Sequence, residues 1–177
     1  MKFYFCGAAL SKGKSQKNSK VLSQDELIRW YELMHMGRVL DDKAPNYLKQ
    51  AIGWSYHAPS AGHDGIQLAL GLSFRSGKDF LFPYYRDLTT CLAAGLTPED
   101  IILNGISKAT DPASGGRHMS NHFAKPSIGI QNVSSLTGNH AQHATGLARA
   151  VKNYDSDAIV FCSQGESSLS EGYCYEA

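Results

Sequence analysis

Apolar residues recur at a helical spacing early in the chain: Leu27, Tyr31 and Met34, then Leu40, Ala44, Tyr47, Leu48 and Ala51. Ser23-Gln24-Asp25-Glu26 is a capping-box pattern and opens that helix. Pro45 lacks an amide proton and its ring crowds the preceding turn, so the helix is expected to kink or split near residues 41–44. Residues 53–62 read as a loop carrying Trp54, Tyr56, His57 and Pro59, and a second helix follows over about residues 63–72. Residues 79–82 form a short extended segment that runs into Pro83-Tyr84-Tyr85-Arg86. A third helix covers about residues 87–94 and stops at Gly95. Thr97-Pro98-Glu99-Asp100 starts a fourth, with a cap residue, a first-turn proline and two acids suited to the helix dipole; it runs to about Leu103.

Residues 104–135 have no period and are rich in Gly, Ser and Asn; so long a stretch inside a compact domain is functional or disordered. A helix then spans about residues 139–153, with Ala141, Ala144, Leu147, Ala148 and Val151 on its apolar face. An apolar run at 158–162 reads as a buried strand, and a last helix begins near Ser168. Helices followed by a helix–strand–loop–helix unit predict an α/β fold with a parallel sheet, in which ligands gather at the carboxyl ends of the strands.

Composition adds few constraints. A chain of 177 residues with 42% apolar and 19% charged content suits one globular domain. A net charge of +1 gives no reason to expect nucleic acid or an acidic membrane as partner. Lys12, Lys14, Lys17 and Lys20 lie in a Ser/Gly/Asn-rich stretch, so residues 1–22 read as a flexible leader and 23–177 as the domain. The apolar start is too short for a membrane span, and its basic residues follow it rather than precede it, against the order of a signal peptide. Cys6, Cys91, Cys162 and Cys174 have no paired short spacing, which fits reduced thiols in a cytoplasmic protein.

Two segments could carry chemistry. Gly165-Glu166-Ser167-Ser168 follows the 158–162 strand; amides there suit a diphosphate, and a carboxylate suits Mg²⁺. The same residues also fit a plain capping loop with Ser168 and Glu171 as its box. Tyr84-Tyr85-Arg86-Asp87 could clamp a phosphate, or could be a core tyrosine beside an Arg–Asp surface pair. The spacings of His118 with His122 and of His140 with His143 allow zinc, but no Cys or acid nearby completes a set. His57 is a loop imidazole, either solvated or part of a site wall.

Taken in order, these pieces carry more than any one alone. They are Gly53-Trp54-Ser55-Tyr56-His57, Gly62-His63-Asp64-Gly65-Ile66-Gln67-Leu68-Ala69, Tyr85-Arg86-Asp87, Gly115-Gly116-Arg117-His118-Met119-Ser120-Asn121-His122-Phe123, Ser134-Ser135-Leu136-Thr137-Gly138-Asn139, and Gly165-Glu166 with Ser170-Glu171-Gly172. The series resembles the alpha part of the thiamine-diphosphate-dependent dehydrogenase component of 2-oxo acid dehydrogenase complexes, over about residues 23–177. The branched-chain (2-oxoisovalerate) type is nearest, because pyruvate-type chains favour Gly-Asp where this chain has Gly165-Glu166.

The resemblance implies a thiamine-diphosphate-binding fold, a parallel sheet flanked by helices, truncated after the first part of the cofactor motif. It implies that Tyr85 and Arg86 hold the diphosphate, that Glu166 ligates Mg²⁺, and that Ser167 and Ser168 stand at the diphosphate. Ser135 and Thr137 meet the aminopyrimidine, although the family has a larger aliphatic residue where Thr137 stands. His57 lines the substrate side and His122 faces the cofactor, so both are catalytic candidates. The potassium site of branched-chain relatives does not carry over to Ser134, Leu136, Asn139 and His140, because an imidazole is a poor potassium ligand.

The implied activity is oxidative decarboxylation of a branched-chain 2-oxo acid with acyl transfer to a lipoyl arm. The implied partners are a beta subunit or fused beta half and a lipoyl-bearing acyltransferase, in a heterotetramer or a homodimer of fused chains. Glu166 is then the first half of a metal site that other polypeptide completes, and the chain alone is inactive. The other readings are a non-catalytic truncated binding module and a transketolase-like thiamine diphosphate enzyme.

Overall fold

The computed structural model describes residues 22–154 and 156–177. The expected leader, with its lysines and Cys6, lies outside the described residues except for Leu22. Helix α1 (Gln24–Lys49) opens on the capping box: the Ser23 hydroxyl accepts from the Glu26 amide, and the Glu26 carboxylate accepts from the Ser23 amide. The expected split at Pro45 does not occur, since α1 runs through it to Lys49. Proline removes one donor from the ladder, and burial of Gly37, Leu40, Asp41 and Ala44 on one face outweighs that loss. The Asp41 carboxylate accepts from the amides of Ser60 (2.9 Å) and Ala61 (3.2 Å), tying the 53–62 loop to α1.

Helices α2 (Asp64–Ser73), α3 (Leu88–Ala94) and α4 (Pro98–Gly105) follow close to their expected limits. Gly95, at φ 119°, ends α3, and a Thr97–Asp100 capping box starts α4. The aperiodic stretch after α4 is packed, not open. The Asp111 carboxylate turns the chain by accepting from Ala113, Ser114 and Gly116 amides, and the Trp54 indole donates to Asn121. Phe123, Ala124 and Ile130 from this stretch are buried.

Strands β1 (Phe80–Phe82) and β2 (Val160–Cys162) pair in parallel, with Phe80 opposite Val160 and Phe82 opposite Cys162. The other edge of β1 is occupied by the 129–131 segment: the Leu81 amide donates to Gly129 and the Gln131 amide to Leu81. Leu81 and Ile130 are buried in one core cluster with Leu40 and Ala44 of α1 and Leu88, Cys91 and Leu92 of α3. Helix α5 (His140–Val151) packs on the strands. The last helix does not begin near Ser168. Ser167–Ser170 form a 3-10 turn, and α6 (Gly172–Glu176) starts after it, as expected where three serines weaken helix propensity. No helix among the described residues is long and apolar enough to cross a membrane.

At the amino ends of the strands, Arg75 bridges Asp79 and Asp157, and the Ile159 amide donates to buried Asp79. Burial alone would raise the Asp79 carboxyl; the Arg75 fork overrides it and holds it below the ordinary value. Lys78 and Arg75 hold Asp157 down to about 2. Depressed carboxyls add stability above their unfolded value and lose it as pH falls through the folded one. The melting temperature is therefore expected to drop as pH falls from about 4 towards 2. Arg75→Gln should lower it at neutral pH and flatten that acid limb; pH-dependent calorimetry showing an unchanged limb would refute the assignment.

Candidate functional site

Because β1 and β2 are parallel and in register at Phe82 and Cys162, the loops after them leave the sheet side by side. One carries Tyr84, Tyr85 and Arg86; the other carries Gly165, Glu166, Ser167 and Ser168. Their contact is tight: a side chain on Gly165 would place its Cβ 2.5 Å from the Tyr84 hydroxyl and 2.8 Å from its Cζ. Only a glycine lets the Tyr84 ring close over this turn.

A cavity of about 390 Å³ opens where the loops meet, within the range of small-molecule clefts. Its lining includes Tyr84, Tyr85, Arg86 and His63, the run from Val133 to Gly138, and His122 and His140. Gly165 to Ser168 close it. Tyr85, Arg86, Ser135, Thr137, Glu166, Ser167, Ser168 and His122, all expected from sequence, are thus brought together. His57 is not among them. It lies behind Tyr85 and Arg86 with Nε2 3.6 Å from the Asp41 carboxylate, because the 53–62 loop is tethered to α1. Its expected place on a substrate wall is not met in this cavity.

The charge pattern of the lining is simple. Arg86 is its guanidinium and Glu166 its carboxylate. The Arg86 side chain donates to the Pro59 carbonyl at 3.4 Å, stands 5.4 Å from the Tyr85 ring centre and interacts with the Tyr84 and Tyr85 hydroxyls. Among the described residues it has no carboxylate partner. The expected alternative, an Arg86–Asp87 surface pair, is therefore not formed. Asp87 is fully buried and accepts from the Tyr84 amide at 3.0 Å. Burial pushes its carboxyl up to about 6, against the pull of the Ser163 hydroxyl, which approaches it without meeting hydrogen-bond geometry. Tyr84 and Tyr85 stack at 4.0 Å between ring centres, and Tyr56 meets Tyr85 edge-on at 5.5 Å. Burial would raise the Tyr85 phenol, but the Tyr84 hydroxyl and the Arg86 guanidinium stabilise its anion and the net shift is downward.

Two imidazoles in the walls are held neutral. Burial lowers His122, whose Nδ1–H donates to the Ser120 carbonyl at 3.2 Å, leaving Nε2 to accept from the Ser135 hydroxyl at 3.1 Å. Burial likewise lowers His140, whose Nε2–H donates to the Ser163 carbonyl at 2.8 Å. His140 Nδ1 has no partner among the described residues. His118 stacks on His122 at 4.4 Å between ring centres. Among the described residues no three His, Cys, Asp or Glu side chains group to hold a metal, so the zinc alternative has no third ligand. Cys91 is buried, and Cys162 and Cys174 are partly buried.

His63, His140 and Gln67 were not singled out as site residues from the sequence. The signal for Gln67 was present: an amide side chain between Ile66 and Leu68 on a helix that packs inward.

Residues 31–177 match the model of the family described as Dehydrogenase E1 component. The 2-oxoisovalerate dehydrogenase subunit alpha of Bacillus subtilis is 30% identical over 155 residues, covering 88% of this chain and 47% of the relative. The 3-methyl-2-oxobutanoate dehydrogenase subunit alpha of Mycobacterium tuberculosis is 29% identical over 154 residues, 86% of this chain and 39% of the relative. The pyruvate dehydrogenase E1 component subunit alpha of Staphylococcus epidermidis is 26% identical over 155 residues, 88% of this chain and 39% of the relative. The chain spans half or less of the length of these curated relatives.

Proposed function

Since the chain belongs to the Dehydrogenase E1 component family, we propose that it contributes the alpha part of a 2-oxo acid dehydrogenase and holds thiamine diphosphate and Mg²⁺ in the cavity between its strand-end loops. The observation that carries this reading is the meeting of Arg86 and Glu166, from loops after different strands, in one hydroxyl-lined cavity. The donor set fits the ligand. Arg86 has no carboxylate to neutralise it and matches a diphosphate; Glu166 matches a hard divalent cation that keeps phosphate oxygens in its shell. Ser167, Ser168, Ser135 and Thr137 line the same cavity.

When bound, thiamine diphosphate supplies the electron sink for decarboxylation of a 2-oxo acid. The chain's own residues bind, orient and exclude water. Tyr85 and Arg86 grip the diphosphate end, and Tyr84 seals the loop over Gly165. His122, kept neutral by burial, fixes the Ser135 hydroxyl through Nε2, so that both present a set hydrogen-bonding face to the cavity. The order of the relatives favours branched-chain 2-oxo acids as substrates. A beta subunit and a lipoyl-bearing acyltransferase are the partners this reading requires, in the cytoplasm.

The test is a decarboxylation assay of the complete gene product with its beta partner. Activity should require both thiamine diphosphate and Mg²⁺, and should favour 3-methyl-2-oxobutanoate over pyruvate. Full activity after exhaustive removal of the cofactor would sink the reading; a preference for pyruvate would overturn only the substrate.

A further inference from the structure

Gln67 lies midway along α2 and is completely buried. A buried amide must place both its donor and its acceptor, or pay the desolvation of whichever is left. Gln67 places both on one neighbouring turn. Its Nε2 donates to the Arg86 carbonyl at 2.7 Å, and its Oε1 accepts from the Thr89 amide at 3.1 Å. Thr89 sits in the first turn of α3, where backbone amides have no partner inside their own helix. One side chain therefore satisfies an orphan helix amide and pins the backbone of the residue whose guanidinium enters the cavity.

The other contacts of the Arg86 side chain are a long one to the Pro59 carbonyl at 3.4 Å and those to Tyr84 and Tyr85, which are themselves part of the site and of the same short loop. Asp87 secures the turn one step earlier, at the Tyr84 amide. The carbonyl of Arg86 belongs to Gln67 alone among the side chains that bond this turn.

We propose that Gln67 is a positioning residue: it aims Arg86 at the diphosphate by holding the Arg86–Thr89 backbone from α2. This rests on the reading of Arg86 given under the proposed function. Gln67 itself touches neither substrate nor cofactor.

Gln67→Leu removes both hydrogen bonds with little change of volume. In the assembled enzyme, with Mg²⁺ saturating, the thiamine diphosphate concentration for half-maximal activity should rise about tenfold. The kcat at saturating cofactor should change less than about threefold, because the chemistry is untouched. The decisive arm is a double-mutant cycle. In an Arg86→Ala background, Gln67→Leu should raise the half-saturating concentration less than about twofold, since there is no guanidinium left to aim. A further tenfold rise in that background would show an effect independent of Arg86 and overturn the proposal. An unchanged half-saturation in Gln67→Leu alone, with Arg86→Ala impaired, would also overturn it and leave the proposed function standing. An Arg86→Ala variant that itself needs no extra cofactor would overturn both. If Gln67→Leu does not assemble, Gln67→Met, unbranched and free of donors, is read by the same criteria.

Discussion

Replacing Arg86 by alanine should raise the dissociation constant for thiamine diphosphate in the assembled enzyme about a hundredfold, since a charge-assisted, bidentate contact in a part-buried site contributes about 2–3 kcal/mol. Among the described residues the guanidinium has no carboxylate partner, so no buried anion there is left stranded when it goes. The fold should therefore survive the change. The apparent KM for the 2-oxo acid should move far less, because Arg86 lies among the phosphate-directed residues and not on a separate substrate wall. Arg86→Lys should recover only part of the loss, since an ammonium restores the charge but not the planar fork. Isothermal titration with cofactor, alongside substrate kinetics at saturating cofactor, separates these effects. A cofactor affinity within about threefold of the parent would remove Arg86 from the site.

Gly71→Ala should lower the melting temperature by roughly 10 °C for a loss of about 3 kcal/mol. The added Cβ would stand 2.5 Å from the Thr90 carbonyl oxygen and 2.5 Å from the Ala93 Cβ. Neither neighbour is the loose end of a flexible side chain, so α2 and α3 have to move apart. That separation also pulls Gln67 away from Arg86 and Thr89, because both bonds run from α2 to the turn that opens α3 and to its first residues. Stability and cofactor affinity should fall together, unlike in Arg86→Ala, where affinity falls alone. Calorimetric melting with and without cofactor distinguishes the two; a melting temperature unchanged within about 2 °C would mean that the helices yield more easily than their contacts imply.

How much of this was legible in the sequence depends on whether the cause is local. Capping at Ser23 and Thr97 and the left-handed stop at Gly95 are decided by a few neighbouring residues, and their positions follow from the pattern. Pro45 illustrates the opposite case: its local effect is real, but burial of the α1 face against other helices decides whether the helix continues. The 129–131 segment could not be read as a sheet neighbour, since Ile130 is a single apolar residue in a stretch without period, and its partner Leu81 is far away in the chain. In the site, Tyr85, Arg86, Ser135, Thr137 and Glu166 were found because motif order marks them, and the parallel pairing brings them together. The position of His57 could not be read, because the Asp41 tether of its loop is a long-range bond with no signature in the loop itself. Gln67 and His140 act through backbone carbonyls, which every residue has, so no pattern of residue types reveals their partners.

The parallel pairing of β1 with β2 also orders events in time. Asp79 and Ile159, which join across the foot of the strands, are 80 positions apart in the chain. Bringing such distant segments together costs loop-closure entropy that short-range helices never face, so the two rims of the cavity meet late in folding. A ligand that recognises only the joined rims adds its binding free energy to that late step, in proportion to the logarithm of its concentration. Under the proposed function, the supply of cofactor during synthesis therefore bears on how much of the protein completes its fold, and not only on turnover.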